Sequence, residues 1–214
     1  MNRISFVILA AGKSRRMKST KSKVLHNINE RPIINYVNDI AENNQSSGIY
    51  YICSNEVQDY INNNFPKTKT IIQKQRLGTA HAVECARKFV SKKNNDIIVL
   101  FGDVPFVKNS TIKKLIKHKH KKRVIGAIVT FLTNNPFGYG RVVTKNGYVK
   151  DVIEEKDTNN DQKKIKICNS GILICDAKYL FKTLNKISNK NNQKERFLTD
   201  ICKIAYLENK PFSY

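Results

Sequence analysis

An apolar run, Phe-Val-Ile-Leu-Ala at residues 6–10, empties into Ala11-Gly12 and then into a loop crowded with cations: Lys13, Arg15, Arg16, Lys18, Lys21 and Lys23. A buried strand that ends in small residues lets backbone N–H groups approach a phosphate chain without obstruction by Cβ atoms. The cations that follow can neutralise a polyphosphate and the charge that develops when one of its bonds breaks. The combination points to nucleotide chemistry, with a charged surface turn as the alternative. It is neither familiar phosphate-loop motif. No glycine precedes Gly12-Lys13-Ser14 at P-loop spacing, and one glycine is too few for GxGxxG.

The rest of the chain alternates strands with helices. Apolar, β-branched runs predict strands over 4–10, 49–53, 70–73, 96–101 and 124–131. Amphipathic spacing predicts helices over 32–41, 79–90 and 111–118. From about residue 140 the pattern changes. Segments 141–144 and 148–153 bracket Lys145-Asn146-Gly147 as a hairpin, 167–175 reads as a strand, and helices are expected over 177–187 and 195–207. This is the signature of an α/β fold with a mostly parallel sheet and helices on both faces. Ligands of such sheets sit outside the carboxyl ends of the strands, where Gly12, Gln73 and Asp103 fall.

At 214 residues and 40% hydrophobic, the chain has enough apolar material for one sizeable core, and a single domain over 1–214 is expected. No stretch approaches the ~20 apolar residues of a membrane span. The apolar N-terminal segment runs into the basic loop with no cleavage signal, so a cytoplasmic protein is expected. Five cysteines without a CxxC pair read as reduced core thiols. The net charge of +22 suits a nucleic-acid or acidic partner in principle, but the lysines are scattered and interleaved with asparagines. The bland reading is a solvated surface. The densest basic run, 113–123, is expected to form the wet face of a helix, without the aromatic interleaving of a single-strand platform.

Individual residues carry further chemistry. Asp103 follows a buried strand, where a carboxylate needs a partner or a cation; Mg2+ beside a triphosphate fits, as does capping of the turn before Pro105. Gln73 with Gly78-Thr79 offers a two-way amide and bare backbone for reading a base edge, or an ordinary loop with Thr79 as helix cap. His81 has no acid or thiol beside it and reads as a plain core or surface histidine. Glu154 and Glu155 are adjacent on a strand, so at most one faces a cleft. No Ser/His/Asp or Cys/His arrangement is spaced for covalent catalysis, which fits a substrate that supplies its own nucleophile.

Taken together, LAAGKSRRM with KVLH, QRLGTAHA, FGDVP, FGYGR, VIEEKD, CNSGI and LTDI resemble the sugar-nucleotide pyrophosphorylases. The resemblance is strongest to the uridylyltransferase half of bifunctional bacterial enzymes that also carry an acetyltransferase half, and it runs from residue 9 to about 201. It implies a Rossmann-like nucleotidyltransferase fold and transfer of a uridylyl group from UTP to N-acetylglucosamine 1-phosphate, with Mg2+ as cofactor. It further implies that Leu9, Ala10, Ala11 and Gly12 approach the nucleotide, and that Arg16 and Lys23 hold the phosphates. Gln73, Gly78 and Thr79 would recognise uracil. Phe101, Gly102 and Asp103 would lie at the ribose and metal, with Asp103 the metal ligand, while Gly140, Glu154 and Asn169 grip the sugar. A pyrophosphorylase for another sugar 1-phosphate, or a degenerate nucleotide-binding protein, is the alternative.

The chain departs from the family in places. Ser14 and Arg15 replace a glycine and a threonine, and Ser22 replaces the proline before the lysine, which is expected to leave Lys23 less rigidly presented. The family's second metal ligand, an asparagine downstream of LTDI, has no counterpart before Tyr214, and the hexapeptide-repeat acetyltransferase half is missing, as in a fragment or a minimal protein. Because that half makes the family's trimer, a monomer is expected, with small-molecule substrates as partners and neither membrane nor nucleic acid.

Overall fold

The computed structural model describes residues 3–12, 19–91 and 95–214. In chain order the main elements are β1 (Arg3–Ala10), β2 (Asn27–Ile28), β3 (Arg31–Pro32), α1 (Ile33–Glu42), β4 (Gly48–Cys53), α2 (Asn55–Asn64), β5 (Lys69–Ile72), α3 (Thr79–Cys85) and β6 (Asn95–Phe101). They continue with α4 (Asn109–Lys122), β7 (Gly126–Leu132), β8 (Arg141–Lys145), β9 (Tyr148–Ile153), α5 (Asn160–Lys163), β10 (Ile167–Asp176), α6 (Ala177–Leu184), α7 (Asp200–Leu207) and β11 (Phe212–Ser213).

Among the described residues, nine strands form one sheet in the order β5-β4-β1-β6-β10-β7-β11-β9-β8. The first four run parallel, as the strand–helix alternation predicts. β10 then enters antiparallel between β6 and β7, and the β8–β9 hairpin forms the far edge. Side-chain alternation explains why both faces are covered. In β1, Phe6, Ile8 and Ala10 pack with α1, α2 and α4, while Val7 points into the opposite core with α3, α6 and α7. β6 divides in the same way, Ile98 and Leu100 against Ile97 and Val99. Both strands are buried on both sides, so they read in sequence as unbroken apolar runs.

Element ends differ from the expected ones for local reasons. The helix expected over 79–90 stops as α3 at Cys85 and continues only as turns. α4 runs further than expected in both directions and ends at Arg123, whose left-handed φ of 54° breaks it. The helix expected over 195–207 starts only at Asp200, because Arg196 spends its backbone N–H on Leu77 and its carbonyl on Ala80. α2 has no counterpart in the predicted elements: it buries only Val57 and Ile61 in an otherwise polar segment.

One lysine of the basic run is not on the wet face. Lys119 is 6% exposed, and its Nζ lies 2.8 Å from Oδ1 of Asp96, which is fully buried at the start of β6. His120 approaches the other oxygen at 3.3 Å. The pair ties α4 to the central strands, and removing its cation strands a buried carboxylate. Lys119→Ala is therefore expected to lower unfolding free energy by about 3–5 kcal/mol in urea titrations. Lys117→Ala, on the exposed side of the same helix, is expected to change it by less than about 0.5 kcal/mol.

Candidate active site

The site forms where neighbouring parallel strands end together. Leu9 pairs with Phe101, and the Gly102 N–H donates to the Leu9 carbonyl at 2.9 Å, so Ala11-Gly12 and Asp103 leave the sheet side by side. A short helical turn at Lys23–Leu25, seated on buried Val24 and Leu25, brings Lys23 back to an ion pair with Asp103. Two strands out from β1, Gln73 leaves β5 with its N–H on the carbonyl of Cys53 at the end of β4. Its Nε2 stands 3.1 Å from Nδ1 of His81, so His81 does more than fill space: it orients the amide. These residues surround a cavity of about 640 Å³, lined by Leu9, Ala11, Gly12, Lys23, Gln73, Gly78, Thr79, Phe101 and Asp103 together with Lys74, Arg76, Ala82 and Glu195.

Gly78 is required at the entry to α3. Its φ is 108°, and a β-carbon there would stand 2.4 Å from the Arg196 carbonyl oxygen. Next to it, the Thr79 hydroxyl accepts from the Leu198 N–H at 2.8 Å, which staples segment 195–199 over the cavity mouth.

That segment borders a second cavity of about 430 Å³, which shares Thr79, Phe101, Asp103 and Glu195 with the first. Gly140, Glu154 and Asn169 line it. The β10–β7 register slips between Asn169 and Leu173, and a bulge of this kind re-aims side chains. The Asn169 N–H is held by the Gly140 carbonyl at 2.9 Å. A β-carbon on Gly140 would come within 3.4 Å of Glu154 Oε2. Burial raises the Glu154 carboxyl above its ordinary range, opposed by the Thr199 hydroxyl that donates to Oε1 at 3.2 Å. The two glutamates lie past the end of β9 rather than on the expected strand, and Glu155 opens a short helical turn (Glu155–Asp157) that carries it away from Glu154. Glu155 pairs with the buried Arg141 at 2.7 Å and accepts the Gly138 N–H at 3.1 Å. That hydrogen bond to Arg141 lowers the Glu155 carboxyl. Arg141 also donates to the Tyr139 carbonyl, so one guanidinium ties down the loop that carries Gly140.

Most of the residues singled out in sequence thus converge on two joined cavities. Ala10 and Gly102 lie just beneath: Ala10 is 2% exposed, and a β-carbon on Gly102 would press against Ala10, Ile34 and the Leu9 carbonyl. Arg16 and Ser14 lie outside the described residues. The structure adds residues that motif reading passed over. Arg76 donates from Nε to the Ala11 carbonyl at 2.6 Å and brings a guanidinium to the cavity that Lys23 and Lys74 also line. Glu195 and Thr199 come from a segment more than 90 positions beyond Asp103; Thr199 falls in the LTDI motif without a role read for it, and no local signal marks Glu195.

Residues 6–148 match the MobA-like NTP transferase domain. The chain belongs to this family. Curated relatives include the bifunctional protein GlmU of Fervidobacterium nodosum, 42% identical over 200 residues that cover 93% of this chain and 43% of the relative. GlmU of Caldicellulosiruptor saccharolyticus is 40% identical over 203 residues, covering 94% and 44%. The chain therefore spans less than half the length of the curated relatives it matches. Among solved structures, a UDP-glucose pyrophosphorylase complexed with UDP-glucose superposes with a TM-score of 0.79 at 18% identity, covering 97% of this chain and 88% of that one. A putative glucose-1-phosphate thymidylyltransferase from Bacillus anthracis gives 0.77 at 18% identity, covering 99% and 85%. The MobA-like fold is thus a Rossmann-like nucleotidyltransferase fold. Among the described residues, no helix is long and apolar enough to cross a membrane.

Behind Glu154 lies a third hollow, of about 560 Å³, with Asp151, Asp157 and Asp200 in its walls. Burial, then the charge of Asp151, pushes the Asp200 carboxyl up to about 6. An acid raised in the fold favours its neutral form, so this contribution to stability is whole below the unfolded value near 4 and is lost as pH rises through about 6. Asp200→Asn is expected to leave thermal stability unchanged at pH 3.5 and to raise it at pH 7.5. The gain stays below about 2 kcal/mol, because water screens the half-buried carboxylate and the start of α7 favours negative charge. Thermal melts of both proteins across that range check it.

Proposed function

We propose that the chain transfers a uridylyl group from UTP to N-acetylglucosamine 1-phosphate, releasing pyrophosphate and forming UDP-N-acetylglucosamine. The observation that carries this reading is the joining of the two cavities at Asp103 and its lysine. A nucleotide in one and a sugar phosphate in the other would meet beside the Lys23–Asp103 pair. The choice of uracil and N-acetylglucosamine rests on about 40% identity to GlmU proteins.

In this reading the Gln73 amide, fixed by His81, and the backbone at Gly78-Thr79 hold the base. Ala11 and Gly12 offer backbone to the phosphates. Glu154 and Asn169 face the sugar, where a half-buried carboxylate and an amide match hydroxyl and N-acetyl groups. A phosphate oxygen of the sugar phosphate attacks the α-phosphorus, and the bond to the β-phosphate breaks with pyrophosphate leaving in line. Lys23 neutralises charge on the attacked phosphate, and Arg16 is assigned to the leaving pyrophosphate. The donor set suits magnesium: Asp103 is a hard oxygen ligand at the meeting point, and it meets Lys23 through Oδ2. Asp103 and the phosphate oxygens would hold Mg2+, which when bound spreads negative charge away from the reacting phosphates.

Pyrophosphate release from UTP should require both N-acetylglucosamine 1-phosphate and Mg2+, and should exceed the rate with glucose 1-phosphate or dTTP. Equal or faster turnover with another sugar phosphate would reassign the substrate. Lys23→Ala is expected to cut kcat by roughly 10²–10³, the cost of one charge-stabilising donor. Its circular dichroism should remain that of the parent.

A further inference from the structure

Lys23 is aimed by the residue before it. The Ser22 carbonyl accepts the Leu25 N–H at 2.9 Å, and buried Val24 and Leu25 seat the turn from below. The Ser22 N–H points the other way. It lies 3.1 and 3.2 Å from the two carboxylate oxygens of Glu56. Glu56 stands in the first turn of α2, a helix fixed to the core by fully buried Val57 and Ile61. The peptide that leads into Lys23 is thus clamped on both sides, by its own turn and by a helix 34 positions on. A hydrogen bond with an ionised acceptor is about twice as strong as a neutral one.

We propose that Glu56 is a positioning residue: by holding the Ser22 amide it keeps Lys23 directed at Asp103. The backbone angle says what the clamp does. Ser22 has φ −57° and ψ 134°, and −57° falls inside the window that a proline ring imposes, about −65 ± 15°. A carboxylate therefore maintains from outside a conformation that a ring maintains covalently. Loss of the clamp frees the Ser22 peptide to rotate, and the lysine samples orientations away from the reacting phosphate. The looseness expected from serine at this position is countered by Glu56, which uses the N–H that proline lacks.

The inference rests on Lys23 acting at the phosphates, and the experiment separates the two ideas. Steady-state kinetics with UTP and N-acetylglucosamine 1-phosphate should show kcat lowered about tenfold in Glu56→Ala, the worth of one charge-assisted hydrogen bond, with KM for the sugar phosphate unchanged. Glu56→Gln, whose side-chain carbonyl still accepts the N–H, should stay within about threefold of the parent, because it loses only the charge assistance. Ser22→Pro should behave like the parent, and adding Ser22→Pro to Glu56→Ala should restore most of the lost rate. A Glu56→Ala variant with parental kcat overturns the proposal. So does Glu56→Gln as slow as Glu56→Ala, which would assign the effect to charge. A double variant as slow as Glu56→Ala, with Ser22→Pro alone normal, overturns it too. Hydrogen exchange at the Ser22 amide reads the clamp without catalysis: it should accelerate in Glu56→Ala and stay slow in Glu56→Gln. If the parent turns over neither substrate, the proposed function falls while exchange still decides the clamp; if exchange is the same in all three proteins, the clamp falls.

Discussion

The site depends on the parallel, in-register pairing of β1 with β6. With Leu9 opposite Phe101, the small-residue turn after β1 and the acidic turn after β6 emerge at the same edge and the same height. A shift of one residue would turn Leu9 and Phe101 to the opposite faces and send the core residues of β1 toward the wrong helices. Burial of Phe6, Ile8, Ile98 and Leu100 on one side and Val7, Ile97 and Val99 on the other forbids that slip. The core therefore sets the distance between Gly12 and Asp103, and Lys23 only has to reach into a gap already made.

The second half of the chain builds onto this frame rather than forming a separate layer. β10 lies antiparallel against β6 through Leu173 to Asp176, then passes its bulge and presents Asn169 toward the same opening. Segment 195–199 crosses back to α3, where the Leu77 carbonyl, the Ala80 N–H and the Thr79 hydroxyl bind it and Gly78 leaves room for it. That crossing is what joins the two cavities, since Thr79 and Glu195 face both. Thr79 thus holds the bridge with its hydroxyl and lines both cavities. Glu154 is restrained by the same bridge through Thr199.

What could be read from the chain follows from how local each signal is. The central strands were legible because burial on both faces leaves a continuous apolar run. The residues after them were legible because a parallel sheet concentrates ligand contacts at strand ends. α2 was not, because only Val57 and Ile61 of its residues are buried, too few to mark a period. Lys119 was misread as solvated because its partner Asp96 is 23 positions away and nothing in the helix itself distinguishes it from Lys117. Arg76 and Thr199 fall within QRLGTAHA and LTDI, yet nothing local says that one reaches the Ala11 carbonyl and the other Glu154, and Glu195 joins the cavities only when the chain returns to α3. Serine before Lys23 looked like a loss of rigidity because the compensating group sits on a different helix.

The Lys23–Asp103 pair also bears on how such a site can be both prepared and open. Each side chain is about a third exposed, so the pair is hydrated. An ion pair as exposed as this contributes on the order of 0–1 kcal/mol, because water screens it and both side chains lose freedom. It holds the lysine near the cleft without binding it tightly, so in the proposed reaction an incoming phosphate can take over the lysine at little cost. The buried Lys119–Asp96 pair is the contrasting case: with Asp96 sealed from water, that lysine has no alternative partner to exchange with, and it serves the fold. The chain thus uses the same chemical pair twice along β6, sealed where the strand begins and open where it ends. Solvent access makes one a fixed strut and the other an exchangeable contact.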